Sequence, residues 1–282
     1  MAYRIFLAAC FSAALLLLPF GLEKVNHTFH PGKIAVNIPY NPTWDSDFPS
    51  NEISAVLARP FFYLGRGAQA FVFESEDGKF VLKLFRGTPK FHPWKRWLRT
   101  TLSGKKERTR LEDKIPPLFN ACQMAYTELR DWTGLVYMHL NPTKDLLPTS
   151  RLVSCLRRST RVDLNQSRFV LQKKGKTIAD TFQYAIENND REKGVRLVRS
   201  FASLLQERSR KNISNSDKTL WTNFGFVGET AIEWDFGRYY YNPDLQTNGG
   251  REKEVAVFRE SLQEFLDTHA NHWAIQVKDF FP

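Results

Sequence analysis

An amide and two carboxylates lie within one short stretch of the C-terminal half, and their types suit a site for a hard metal ion. Asn223 precedes the run Phe-Gly-Phe-Val, and Asp235 follows the run Ala-Ile-Glu-Trp after a glycine at 228. Two apolar runs around a glycine predict a β-hairpin, which would bring Asn223 and Asp235, one at each end, to the same side of the sheet. Amide and carboxylate oxygens are ligands that Mg²⁺ accepts, and phosphates complete its shell. Asp217, slightly earlier in the chain, adds a second carboxylate.

A glycine-containing segment earlier in the chain has the composition of a phosphate-binding turn. An apolar run from Phe61 leads into Gly65 and Gly67, and an alternating run from Ala70 through Val72 leads out. This pattern predicts strand, turn and strand. Glycines at the turn would let main-chain N–H groups approach phosphate oxygens, although a plain hairpin would also use glycine. Because no long helix follows the glycines, a dinucleotide-binding turn is disfavoured.

A lysine interrupts the next predicted strand. The strand follows the turn at Asp77-Gly78 and runs through Phe80, Val81, Leu82, Leu84 and Phe85, with Lys83 among them. A buried ammonium group requires a partner, because its desolvation costs free energy. The alternative is that Lys83 lies on the solvent face of an edge strand.

These motifs together resemble those of protein kinases. The matching segments are the glycine loop Gly65-x-Gly67-x-x-Ala70-x-Val72, the strand lysine in Val81-Leu82-Lys83, the Asp217 to Asn223 loop, and the tripeptide Asp235-Phe236-Gly237. The resemblance implies that Lys83 contacts the α- and β-phosphates of ATP. It also implies that Asp235 and Asn223 hold Mg²⁺. Asp217 would orient or deprotonate the acceptor hydroxyl.

The sequence departs from the kinase pattern at several positions. Ala70 replaces the third glycine of the loop, and Asn215-Ser216 replaces the His-Arg pair before the catalytic aspartate. Asn223 lies six positions after Asp217, where the family has a spacing of five positions. The helix glutamate that pairs with the strand lysine in kinases is also displaced, because its expected position falls near Gln123.

The resemblance implies an α+β, bilobal protein-kinase-like fold with a reduced C-lobe. The apolar composition of the leader predicts that an N-terminal hydrophobic helix precedes it. We place the N-lobe at 59–174 and the C-lobe at 175–282. Helical periodicity predicts helices at about 117–132, 176–188, 191–209 and 251–269. Strands are predicted at 134–140, 153–164 and 168–174, and main-chain groups near Gln172–Lys174 would meet the adenine edge. Only 45 residues follow Gly237, so a peptide-docking platform is not expected, and the compact bacterial kinases of sugars, lipids and small molecules are the nearest type.

The N-terminal leader is almost wholly apolar from 5 to 22. Eighteen residues of helix span roughly 27 Å, which is close to the hydrocarbon thickness of a bilayer. Residues 1–25 therefore predict a signal anchor, with a cleaved signal peptide and secretion, or a buried N-terminal helix, as alternatives. The distribution of cations favours a single span with the domain on the cytoplasmic side. Four prolines between 26 and 58 predict an extended linker.

Much of the net charge of +10 comes from one basic segment. Residues 86–110 contain nine Lys or Arg against the single acid Glu107, and Trp94 and Trp97 interleave with the cations. Cations with tryptophans are typical of a membrane interface. Single-stranded nucleic acid, stacked on the tryptophans, is the less favoured partner, and a solvated loop is the third interpretation.

The composition and the motifs together favour an enzyme that uses ATP and Mg²⁺. A hydrophobic content of 42% excludes global disorder, and the three cysteines form neither a disulfide framework nor a metal motif. We expect a membrane-associated phosphotransferase with an unknown acceptor. One alternative is a membrane-tethered pseudokinase that acts as an interaction module. The other is a kinase-fold enzyme that transfers a different nucleotide-derived group.

Overall fold

The computed structural model describes residues 29–36, 38–87 and 114–281. The leader at 5–22 and the basic segment beyond its second residue lie outside the described residues, so the predictions about them stay predictions. Across the described ranges, no helix is both long enough and apolar enough to cross a bilayer.

The first large element is a seven-stranded sheet with the order β4-β7-β3-β2-β1-β5-β6. Neighbouring strands are antiparallel, except that β1 and β5 run parallel. A glycine with φ of +67°, Gly78, forms the turn between β2 and β3, as the Asp-Gly pair predicts. The strands are β1 (Pro60–Arg66), β2 (Ala70–Ser75), β3 (Phe80–Phe85), β4 (Leu135–His139), β5 (Thr149–Val153), β6 (Ser159–Asp163) and β7 (Phe169–Lys173).

Within the segment 26–58, predicted to be an extended linker, the described residues contribute a helix and part of the core. Helix α1 (Asn51–Ala58) begins where the Ser50 side chain accepts a hydrogen bond from a main-chain N–H, and its Val56 and Leu57 are buried. The indole of Trp44 is buried too, with 5% of its surface exposed. The prolines interrupt regular structure between 31 and 49, but apolar residues between them bind the segment to the sheet. The prediction of a linker was therefore wrong for this part of the segment.

Helix α2 (Ile115–Glu128) packs on one face of the sheet and is followed by the short helix α3 (Arg130–Thr133). The prediction of one helix over 117–132 is confirmed in its position, with a break at Leu129. The core between α2 and the sheet also contains Phe236 and Tyr239, which come from the far end of the chain. This contact positions the Asp235-Phe236-Gly237 segment beneath the sheet.

Most of the remaining elements form a second core, whereas Ile213 and Tyr239 belong to the core beneath α2. Strands β8 (Lys176–Thr177), β10 (Phe224–Val227) and β11 (Thr230–Glu233) make a three-stranded sheet, and β9 (Ile213–Asn215) pairs with β12 (Tyr239–Tyr241). The helices are α4 (Ile178–Glu187), α5 (Arg191–Arg210), α6 (Leu220–Asn223) and α7 (Asn248–His269). The predicted helices at 176–188, 191–209 and 251–269 are confirmed. The fold is mixed α+β, as predicted.

Candidate functional site

A cavity of about 240 Å³ lies between the seven-stranded sheet and the segment after β11. It is bordered by the loop between β1 and β2, by α2, and by the chain around Asp217 and Asp235. Of the residues that the sequence singled out, the structure brings six together in its lining, namely Gly67, Ala70, Val72, Lys83, Asp217 and Asp235. The other two, Gly65 and Asn223, do not line it. Whether these residues bind a nucleotide or act in catalysis stays a prediction.

The glycine-containing turn is held by its own hydrogen bonds. The main-chain N–H of Gly67 donates to the carbonyl oxygen of Ala70 at 2.9 Å, and Arg86 Nη1 donates to the carbonyl oxygen of Ala68 at 3.0 Å. A Cβ added at Gly67 would meet only one atom within 4 Å, and one added at Gly65 would meet none. Protein packing therefore does not require glycine at either position, and open space remains beside the turn.

Lys83 lies in the middle of the sheet and reaches across the cavity. Strand β3 runs between β2 and β7, so the alternative of a solvent-facing edge strand was wrong. The Lys83 Nζ donates a hydrogen bond to the main-chain carbonyl oxygen of Trp234 at 2.6 Å. Burial lowers the pKa of Lys83, and the carboxylate of Asp235 opposes that shift by favouring the charged form.

Helix α2 turns a thiol and an aliphatic side chain toward Lys83, rather than a glutamate. Leu118 and Cys122 line the cavity, and burial raises the pKa of the Cys122 thiol, which keeps it neutral. The late glutamate of the helix, Glu128, instead makes an ion pair with Lys211 at 3.0 Å. Within the described ranges, Lys83 makes no ion pair with a carboxylate of this helix.

Asp217 stands at the cavity mouth as an ionised carboxylate. A hydrogen bond from Thr219 Oγ1, at 2.7 Å, lowers the pKa of Asp217, and Arg238 acts in the same direction. The guanidinium of Arg238 is 4.0 Å from Asp217 Oδ2 and also lines the cavity. The carboxylate is therefore charged at neutral pH, and hydrogen-bond donors fix its orientation.

Asn223 is buried directly behind Asp217. Its Nδ2 donates to the main-chain carbonyl oxygen of Asp217 at 3.0 Å. The main-chain carbonyl oxygen of Asn223 accepts from the N–H groups of Trp234 and Asp235. Its Oδ1 accepts from the hydroxyl of Thr222 at 3.0 Å. The predicted hairpin of β10 and β11 is confirmed, and it places the main chains of Asn223 and Asp235 side by side.

Asn215 connects the two carboxylate-bearing segments, a role that the sequence pattern did not reveal. It is fully buried, and its Oδ1 accepts from the N–H of Asp217 at 2.9 Å. Its Nδ2 donates to the carbonyl oxygen of Asp235 and to Glu233 Oε1, both at 2.8 Å. One amide thus fixes the main chains at Asp217 and Asp235 relative to each other.

Asn215 contacts a buried cluster of charged residues through Glu233. Arg208 donates to Glu233 at 2.6 Å and to Glu254 at 3.0 Å, and the hydroxyl of Tyr239 donates to Glu233 at 2.7 Å. Burial raises the pKa of Glu233, whereas Arg208, Asn215 and Tyr239 favour its ionised form. A glutamate within an apolar strand, and an arginine on the apolar side of a helix, were the sequence signals of this cluster.

Trp234 lines the cavity, and its indole packs against Gly225 of β10. Its Nε1 donates to the carbonyl oxygen of Thr222 at 2.6 Å, and a Cβ added at Gly225 would lie 2.1 Å from the ring. Gly225 is therefore required by this close approach. Among the residues predicted to meet the adenine edge, the N–H groups of Lys173 and Lys174 already donate to the carbonyl oxygens of Gly134 and Lys79, so they are not open to an adenine edge.

Comparisons with known proteins place few constraints on the chain. No family model matches it, and no curated protein sequence matches it. Among solved structures, it is similar to the crystal structure of WbdD with 13% sequence identity and a TM-score of 0.34. The matched region covers 64% of this chain and 33% of the WbdD chain, so this chain spans about a third of that structure. A likeness of this degree carries no argument about activity.

Proposed function

We propose that this chain is an ATP- and Mg²⁺-dependent phosphotransferase with a bilobal, protein-kinase-like domain and a reduced C-lobe. The observation that carries the proposal is the convergence of Lys83, Asp217 and Asp235 on one cavity beside Gly67. Lys83 comes from the central sheet, and the two carboxylates follow it by more than 130 residues. A cation opposite two carboxylates is the charge arrangement that a metal-bound triphosphate requires.

The lining of the cavity fits such a ligand. Val72 and Val170 supply apolar walls for a base, and the open space at Gly67 leaves room for phosphates near main-chain N–H groups. The carboxylate of Asp235 is exposed to the cavity and is a suitable oxygen ligand for Mg²⁺. Bound ATP would supply the phosphoryl group, and bound Mg²⁺ would neutralise its charge.

The residues of the chain would then have separate tasks. Lys83 would hold phosphate oxygens, and its bond to Trp234 already points its ammonium group toward the Asp235 segment. Asn223 donates its N–H₂ group to Asp217 and accepts from Thr222 at its Oδ1, so binding a metal at Oδ1 would require the side chain to leave the Thr222 hydroxyl and turn toward the cavity. Asp217 would accept a hydrogen bond from the acceptor hydroxyl at its carboxylate. Because its pKa is lowered, orienting the hydroxyl is favoured over early removal of the proton.

A nucleotide-binding pseudokinase is the second candidate. Two observations favour it. Lys83 faces Cys122 on α2, where a kinase has a glutamate, and Asn223 does not line the cavity. Both features would weaken positioning of the phosphates for transfer while leaving a nucleotide able to bind.

One set of variants separates the two candidates. Mg·ATP should raise the melting temperature of the wild-type chain, and Asp235→Ala should remove that shift. The matched control is Asp244→Ala, which removes an exposed aspartate outside the cavity lining. ADP release that Asp217→Asn stops, without loss of the Mg·ATP shift, supports the phosphotransferase. A shift without ADP release supports the pseudokinase, and no shift with any nucleotide overturns both.

We also propose, from the sequence alone, that residues 5–22 attach the domain to a membrane. ATP use requires the domain to face the cytoplasm. Fractionation of cells that express the full chain should recover it with membranes after alkaline washing, and deletion of residues 1–25 should release it. Recovery of the full chain in the soluble fraction would contradict this proposal.

A further inference from the structure

A second cavity, of about 440 Å³, lies on the opposite face of the three-stranded sheet from the candidate site. Neighbouring residues of β10 point to opposite faces, so Gly225 lies under the Trp234 indole while Phe226 lines this second cavity. Helix α4 contributes Tyr184 to the wall, and the turn after β10 closes one side. The cavity is therefore separate from the one that contains Lys83.

Three lysines from three different elements line this cavity. They are Lys174 after β7, Lys176 of β8, and Lys193 in the first turn of α5. Lys174 makes an ion pair with Glu74. Across the residues that the structure describes, neither Lys176 nor Lys193 makes an ion pair with a carboxylate. Two ammonium groups therefore lie at one concave surface outside any direct ion pair.

The single carboxylate in the lining is held by an arginine. Glu229 accepts two hydrogen bonds from Arg196, at 2.7 and 3.1 Å, and these lower its pKa; the charge of Lys193 acts in the same direction. The direct ion pair of Glu229 is therefore with Arg196 and not with a lysine of the cavity. The net charge of the lining, with Arg196 included, is positive.

Tyr184 lies within cation–π distance of both lysines. The residue is 55% exposed, and the Nζ atoms of Lys193 and Lys176 lie 4.5 and 5.9 Å from the centroid of its ring. A cation over an aromatic face is attracted to the ring while keeping N–H donors for another ligand. Both ammonium groups therefore lie within 5.9 Å of one ring centroid, where an anion with two or more charges would meet two cations.

We propose that this second cavity binds a phosphate-bearing ligand with at least two negative charges. Lysine ammonium groups are common phosphate ligands, and an exposed site of this kind depends on ionic strength. The phosphate could belong to a soluble polyphosphate compound or to a lipid headgroup, since both present the same group. The proposal does not depend on the proposed phosphotransferase function, because the two cavities share no lining residue.

Calorimetric titration of the full chain with inorganic tripolyphosphate tests the proposal. Lys176→Glu and Lys193→Glu should each weaken binding by roughly tenfold, and raising the salt concentration should weaken wild-type binding. Lys173→Glu is the matched control, because it makes the same charge change at an exposed position outside the cavity lining. Lys83→Met controls for tripolyphosphate in the first cavity, and it should leave this binding step unchanged. Lys176→Gln and Lys193→Gln replace the glutamate variants if those unfold.

A sedimentation assay identifies the source of the phosphate. Phosphatidylcholine vesicles with and without phosphatidic acid are compared, so that attachment through any other segment is common to both. A phosphatidic-acid-dependent gain that Lys176→Glu and Lys193→Glu abolish identifies a headgroup ligand. Lysine-dependent binding of tripolyphosphate alone identifies a soluble ligand. The proposal is overturned if neither probe binds, or if Lys173→Glu weakens binding as much as the cavity variants do.

Discussion

The side chain of Lys83 donates a hydrogen bond to the main-chain carbonyl oxygen of Trp234 at 2.6 Å, although 151 residues separate them in the sequence. This bond joins the interior strand β3 of the large sheet to the residue directly before Asp235. Gln172 Nε2 lies 3.4 Å from the same carbonyl oxygen. The position of Asp235 relative to the sheet is therefore set by main-chain geometry as well as by side-chain charge.

Lys83→Met should reduce affinity for Mg·ATP by roughly tenfold or more, because an ammonium ligand of the phosphates is lost. We expect the free energy of unfolding to change by only about 1 kcal/mol, since the lost hydrogen bond is offset by relief of a buried charge. Titration calorimetry and urea unfolding measure the two quantities. The control is Lys79→Met, an exposed lysine at the start of the same hairpin strand. Unchanged affinity in Lys83→Met would contradict the proposed role.

Gly67→Ala should weaken Mg·ATP binding by roughly tenfold without destabilising the fold. Space for a Cβ exists in the protein, so any loss must come from a ligand that uses that space. Gly65→Ala is matched to it, because Gly65 has equal room but does not line the cavity. Equal losses of affinity in the two variants would show that the cavity lining does not explain the effect.

Asn215→Ala should destabilise the protein by about 2–4 kcal/mol, because it leaves Asp217 N–H, Asp235 C=O and Glu233 without their amide partner. The melting temperature and urea unfolding report this cost. Asn215→Asp keeps the size and the acceptor for Asp217 but places a second carboxylate next to Glu233. The loss of stability caused by Asn215→Asp should therefore become smaller as the pH is lowered, whereas the loss caused by Asn215→Ala should not. Parallel pH dependence in the two variants would argue against this network.

Arg208→Met should cost about 3–5 kcal/mol, since Glu233 would remain buried without a cation and Glu254 would keep only its ion pair with Lys218. The double variant Arg208→Met/Glu233→Gln should recover part of that loss, because one of the stranded charges is removed. Urea unfolding of the two single variants and the double variant forms a mutant cycle. Additive losses would mean that Arg208 and Glu233 do not interact energetically.

The sequence predicted the elements whose signals are local. Apolar spacing along α5, with Leu197, Phe201 and Leu204 on one side, predicted a helix with one buried face, and all three side chains are buried. The glycine at 228, with φ of +63°, marked the β10–β11 turn. The position of the site carboxylates next to that hairpin followed from the same pattern.

Features that depend on contacts between distant segments were not predictable in this way. Helical periodicity located α2 but not its rotation against the sheet, and that rotation places Cys122 near Lys83 and Glu128 beside Lys211. The parallel pairing of β1 with β5 joins segments about 90 residues apart and leaves no local signal. Asn215 could be recognised as a substitution in the kinase pattern, but its bonds to both carboxylate segments required the tertiary structure.

His139 should make the protein less stable in mild acid. Its ring is buried, with Nδ1 at 2.7 Å from the carbonyl oxygen of Ser167, and burial lowers its pKa from 6.5 to about 4. As the pH falls from about 6.5 to about 4, the unfolded chain binds a proton that the folded chain excludes. The free energy of unfolding should therefore drop by roughly 3 kcal/mol from this group. Urea unfolding between these pH values should show a shallower fall in His139→Gln than in the wild type, whereas the exposed-histidine variant His272→Gln should keep the full slope. Equal slopes in His139→Gln and the wild type would mean that the ring is not held neutral by burial.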